Sequence, residues 1–143
     1  MNDDTISLLK ECNAGCKMAT NSMEQVIPYV RDEKMKTVIN SYNERHIETG
    51  DECHELLNEA GKAEKDPPAM ASAFSWVTTE MKLLIKDDTH QIASLLIDGC
   101  NMGVKSLAED LNQYTQADIA SIGMVRKLIK LEQSFSKELL EFV

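Results

Sequence analysis

The hexamer Cys12-Asn13-Ala14-Gly15-Cys16-Lys17 returns 88 residues later as Cys100-Asn101-Met102-Gly103-Val104-Lys105. Each copy lies in a segment with apolar residues three and four apart, and each segment is followed by a second of the same kind. An echo of this sort constrains the chain to two related helical hairpins, because a repeated unit dictates the fold it is built into. At the same offset Cys16, Ala19, Met23 and Val26 fall on Val104, Leu107, Leu111 and Tyr114. A second match pairs Ile39, Tyr42, Leu56 and Leu57 with Ile122, Val125, Leu139 and Leu140 at an offset of 83, so the second hairpin has a connection five residues shorter (88 less 83).

The hairpins fit one domain, residues 1–143. At 143 residues a folded chain buries roughly 68–70% of the surface its unfolded form exposes, enough for a core without covalent staples. Glycine and proline are few and no stretch alternates convincingly, so the expectation is an all-α fold. A net charge of -9 opposes nucleic acid and anionic membrane faces. No run approaches the ~20 apolar residues of a membrane span, and the sequence opens MNDDT rather than on a basic segment and an apolar signal core. A cytoplasmic protein is expected, with its four cysteines as free thiols. Cys12 and Cys16, one helical turn apart, place their Cβ atoms ~5–6 Å from each other, too far for a disulfide.

Asp3 or Asp4 is the expected N-cap of a first helix with an inward line of Ile6, Leu9, Cys12, Cys16, Ala19, Met23 and Val26, and Pro28 ends it. A second helix spans about 32–60 with Met35, Ile39, Tyr42, His46, Cys53, Leu57 and Ala60 inward, and Gly61 is suited to the left-handed residue that closes it. Residues 62–68, charged and ending in Pro-Pro, read as a linker. A shorter helix with Met70, Phe74, Val77, Met81, Leu84 and Ile85 on one face carries Trp76 beside that face, where it packs on the linker or contributes to a patch for a second subunit. Asp87 or Asp88 caps a third long helix with the line Ile92, Leu95, Gly99, Gly103, Leu107, Leu111 and Tyr114. A fourth runs from about Asp118 with Ile122, Val125, Ile129, Glu132, Phe135 and Leu139. A helix of about seventeen residues between the second and third is ~25 Å long, which favours a crossover and makes those two parallel. Gly15 and the Gly99-x-x-x-Gly103 pair cost about 1 kcal/mol each relative to alanine inside a helix. Close helix approach is the expected reason, with Gly15 and Gly103 related by a local twofold.

The order of a hairpin, a linker into the Trp-bearing "SAFSWVTTEMKLL", the acidic "KDD" and the helix "GCNMGVKSLAEDLNQY" resembles the bacterial ferritin-like four-helix-bundle domain of unknown function over nearly the whole chain. The resemblance implies a bundle of two hairpins with a crossover helix. Ferritin-like metal proteins supply a Glu from two helices and a Glu-x-x-His from the other two. Here the second helix offers Asp51-x-x-His54 with Glu44 and His46, and the fourth reads Glu132-Gln133-Ser134-Phe135 without a histidine. The full di-iron ligand set is missing.

Two candidate constellations remain. His46 and Glu132 both lie on inward stripes, and with Glu11 and Asp98 they would make a metal set of hard oxygens and one imidazole suited to iron or manganese. The same pair reads as a hydrogen-bonded polar layer that fixes helix register. Cys12, Cys16, Cys53 and Cys100 lie on or beside inward stripes and read as a thiolate site for zinc or copper, a redox switch, or small core hydrophobes. The methionines read as core filling, and no nucleophile elbow or Ser-x-x-Lys context supports hydrolysis. The expected function is a non-catalytic bundle without a cofactor that acts through self-association, as a homo-oligomer, or through a protein partner. The alternative is a metal-binding or redox protein.

Overall fold

The structure, a computed structural model, describes residues 1–61 and 89–143. The Pro-Pro linker, the shorter helix with Trp76 and the Asp87 or Asp88 cap fall outside the described residues. Among the described residues the chain is all-α, with four long helices and no strand: α1 (Asp3–Val26), α2 (Glu33–Glu59), α3 (Thr89–Gln113) and α4 (Ile119–Leu139).

The helix ends follow local chemistry. The side chain of Asn2, not Asp3 or Asp4, caps α1 by accepting from the Thr5 amide at 2.8 Å. The two aspartates occupy the first turn instead, where their charge meets the positive end of the helix dipole. Pro28 stands in a short 3-10 turn, Ile27–Tyr29, just beyond α1, since it cannot supply an amide to continue the helix. Asp32 caps α2 and Asp118 caps α4. Gly61, with φ of +69°, follows α2 in the conformation that a side chain would resist.

Cross-helix contacts set the directions. Lys34 with Glu141, His46 with Glu132 and Glu52 with Lys127 run in opposite order along α2 and α4, which are therefore antiparallel. His90 against the Phe142 carbonyl and Gly103 against Glu132 do the same for α3 and α4. At the other end, the first turn of α1 ties down the loop between α3 and α4. Asp4 accepts from the Gln116 amide, Asn2 donates to the Gln116 carbonyl, and Thr5 Oγ1 accepts from the Asp118 amide. These bonds satisfy loop groups that would otherwise need water.

Two apolar clusters stack along the bundle. One gathers Met23, Val26, Met35, Ile39, Ile92, Leu96, Phe135 and Leu139, and the other Leu8, Leu9, Cys12, Cys53, Leu57, Leu107, Val125 and Leu128. The stripes expected for α1 and α2 are buried at most of their positions. That of α3 is rotated: the buried line is Ile92, Leu96, Cys100 and Leu107, while Leu95, Leu111 and Tyr114 lie partly out and Gly99 is exposed. Leu128 belongs to the α4 stripe and the sequence reading missed it.

The glycines need correction as well. A Cβ on Gly99 would meet nothing within 4 Å among the described residues, so no close helix approach there explains it. A Cβ on Gly15 would lie 3.5 Å from Leu128 and one on Gly103 3.5 Å from Glu132 Oε2. Both glycines thus face successive turns of one helix, α4, rather than positions exchanged by a twofold. The stripe pairing also breaks at Leu57, fully buried, and Leu140, 57% exposed.

Half-buried Asp110 on α3 is pushed up to about 6, first by burial and then by the carboxylates of Glu11 and Glu109. The unfolded chain releases this proton near pH ~4. Between there and pH 6 the folded state holds a proton that the unfolded state has given up, so stability falls as pH rises through that window. We expect Asp110→Asn to raise Tm at pH 7 by about 1–2 °C, a small gain because solvent screens the site. The gain should vanish below pH ~4. Thermal melts of both chains at the two pH values test it.

Candidate functional site

Between the two apolar clusters lies a polar layer. His46 on α2 is 0% exposed and Glu132 on α4 is 7% exposed. The imidazole Nδ1 stands 2.6 Å from the Tyr42 carbonyl oxygen one turn back on α2. A carbonyl oxygen only accepts, so Nδ1 carries a hydrogen. Nε2 is hydrogen-bonded to Glu132 Oε1. With Nδ1 protonated, a neutral ring offers only an acceptor at Nε2, and a carboxylate is also an acceptor. The contact therefore requires one further proton, held on the ring or on the carboxyl. Either way the pair is electrically neutral and shares a proton across the α2–α4 interface.

Neighbouring residues complete the layer. The Phe135 ring stacks on Tyr42 at 4.7 Å between centroids and lies edge-to-face with His46, with 6.4 Å between those centroids. The Tyr42 hydroxyl donates to Glu138, and Arg45 lies over the Tyr42 ring at 4.8 Å. Gly103 on α3 leaves room for the second carboxylate oxygen of Glu132, with the place of its absent Cβ 3.5 Å away. Cys100, one turn before Gly103, is pushed up by burial and then by the charge of Glu132 beside it.

The sequence candidates separate accordingly. His46 and Glu132 meet. Glu11 and Asp98 are exposed and join neither of them. Each lies next to an inward position, Cys12 and Gly99 in the sequence reading, and one residue along a helix turns a side chain by about 100°. Cys12, Cys16 and Cys53 are buried free thiols in one cluster, and Cys100 is a buried free thiol in the other. Hydrogen bonding to Cys16 and burial push Cys12 up, against an opposing effect of Cys53. Hydrogen bonding to Cys12 and burial push Cys53 up. Thiols held protonated in this way are poor nucleophiles and poor thiolate ligands.

Among the described residues no group of three or more His, Cys, Asp or Glu side chains is placed to hold a metal ion. Among the described residues the donors do not fit a di-iron centre: the inward His and Glu set there stops at one imidazole and one carboxylate, already bonded to each other. With both ring nitrogens taken, His46 has no free site with which to accept a proton from a bound molecule.

Sequence reasoning missed two buried amides. Asn13 is 1% exposed and Asn43 is 9% exposed, and Asn13 Nδ2 and Asn43 Oδ1 have no hydrogen-bond partner. A signal was present, since each lies four residues after an inward position, Leu9 and Ile39, on the same helical face. Among the described residues no helix is long and apolar enough to cross a membrane. Compared with protein-family models, with curated proteins and with solved structures, the chain matches none.

Proposed function

We propose that this chain is a ferritin-like bundle that works through self-association or contact with a protein partner, its interior polar layer serving to hold helix register and not to carry out chemistry. The observation that carries this reading is that the reactive side chains of the interior are closed off: His46 and Glu132 are buried and bonded to each other, and the four thiols are buried. Among the described residues, what remains for function is the surface. It includes large apolar side chains such as Met102 at 61% and Ile119 at 91% exposure. Acidic groups in excess over basic ones keep such a surface soluble while leaving apolar points for association.

Helix directions support the ferritin-like plan. With α2 and α3 both antiparallel to α4, they run parallel to each other, and α2 ends at the opposite end of the bundle from where α3 begins. A plan with one long connection has this arrangement, whereas a simple up-down bundle does not. The repeated hexamer fits descent of the two hairpins from one unit, and a cytoplasmic setting suits four unbridged cysteines.

Sedimentation equilibrium over a wide range of protein concentration tests the reading, together with elemental analysis of protein purified without oxygen or chelator. The expected result is a reversible dimer or larger assembly, weakened by Ile119→Ser, with no stoichiometric metal. A strict monomer that captures no partner, or tightly held iron, manganese, zinc or copper, would overturn it.

A further inference from the structure

The charges of α2 and α4 are sorted by helix. From Glu44 to Glu59, α2 carries six exposed carboxylates, Glu44, Glu48, Asp51, Glu52, Glu55 and Glu59, against one base, Arg45. From Ile119 to Leu131, α4 has no acidic residue, and its bases Arg126, Lys127 and Lys130 are all exposed. The two stripes lie side by side. Lys127 pairs with Glu52 at 3.3 Å, and the groove between the helices is bordered by Glu48 from α2 and by Lys127 and Lys130 from α4.

Such sorting works against each helix alone. Glu44 and Glu48, Glu48 and Glu52, Asp51 and Glu55, and Glu55 and Glu59 each stand one turn apart on α2, as do Arg126 and Lys130 on α4, and like charges at that spacing destabilise a helix. Lys127 relieves only part of this repulsion. Among the described residues Arg126, Lys130, Glu48 and Glu55 form no ion pair.

The arrangement is self-complementary. Because α2 and α4 are antiparallel neighbours, a twofold axis parallel to them lays each copy's α2 over the other copy's α4 at the same height, and the acidic stripe meets the basic one twice. A foreign acidic partner would satisfy α4 alone and meet repulsion from α2. Ile119, 91% exposed, lies about three turns before Lys130 on the same side of α4 and adds an apolar contact.

We infer that the α2–α4 face is the surface through which two copies of this chain associate, the carboxylates of α2 in each copy meeting Arg126 and Lys130 of the other. This rests on the self-association reading above and names its surface. Exposed ion pairs are individually weak and screened by salt, so the dimer is weak and salt-sensitive.

Sedimentation equilibrium of the parent, of Arg126→Glu with Lys130→Glu, and of Glu48→Lys with Glu55→Lys tests the inference. All four positions are exposed and leave the Lys127–Glu52 pair in place, so both variants should keep the parent's circular-dichroism spectrum. The parent dimer should weaken about tenfold or more between about 0.05 M and about 0.5 M sodium chloride. At the lower salt each variant alone should associate about tenfold more weakly than the parent. Mixed in equal amounts, the two should bind each other more tightly than either binds itself, because the reversed positions then face opposite charges. Association untouched by both variants would overturn the inference and leave self-association through another surface standing. A dimer indifferent to salt, or a mixture no tighter than the separate variants, would overturn it as well, and a strictly monomeric parent would overturn it together with the self-association reading.

Discussion

Replacing Glu132 by methionine should cost about 3–5 kcal/mol of folding stability, because it leaves a buried imidazole without its partner. His46→Leu should be similarly damaging, since it strands the carboxyl. The double variant His46→Leu, Glu132→Met should recover most of the loss and fold at least nearly as well as the parent, as buried ion pairs often do when both members become apolar. The shared proton is the reason. Each side chain is satisfied by the other alone at that contact, and Gly103 leaves space beside residue 132 for a methionine. Urea unfolding of the parent, both single variants and the double variant gives the coupling energy directly; two losses of about 3–5 kcal/mol against a nearly neutral double variant put it at about 5 kcal/mol or more. Additive effects, or single variants costing under about 1 kcal/mol, would show that the layer does not act as a unit.

Phe135→Ala should destabilise the fold by about 3–5 kcal/mol. The ring is 2% exposed, stacks on Tyr42 and lies edge-to-face with His46, so its removal opens a cavity where the apolar cluster of Met23 and Ile39 meets the polar layer. Collapse of the site is resisted from both sides. Tyr42 is held by Glu138 and Arg45, and His46 by its two hydrogen bonds. Denaturant unfolding should show a lower midpoint with an unchanged slope, the mark of lost stability without a change in the unfolded chain. Ile119→Ser is the matched control for the surface. At 91% exposure its effect on monomer stability should stay within about 0.5 kcal/mol.

Both predictions rest on residues whose inward placement is legible in the sequence. His46 follows Ile39 by seven and Tyr42 by four, and Glu132 precedes Phe135 by three, so periodicity alone turns them to the core. Their meeting is not legible. Spacing sets which face a residue occupies, but the rotation and axial shift of α4 against α2 come from how whole side chains interlock. The same limit explains α3. Its sequence contains two nearby apolar lines, through Leu95 and through Leu96, and packing on α1 and α4 selects the one through Leu96 and Cys100. Gly99 misled because glycine is consistent with close approach without requiring it. The N-cap of α1 misled because Asn2, Asp3 and Asp4 are all good capping residues, and their roles are separated by the Thr5 amide bonding to Asn2 while Asp4 accepts from the Gln116 amide.

The sequence by itself determined that the described chain is helical, where α2 and α4 start, that Pro28 lies beyond α1, and which side chains are too apolar to leave in water. These are properties of a helical turn and its neighbours, and a local stretch of chain contains all the forces that decide them. The tertiary structure alone decided that His46 and Glu132 meet, that Glu11 and Asp98 stay outside, and that Asn13 keeps an unpaired amide in the interior. Those outcomes depend on angstrom-scale distances between helices far apart in the chain, where a hydrogen bond or a ligand contact is won or lost over less than the width of one atom.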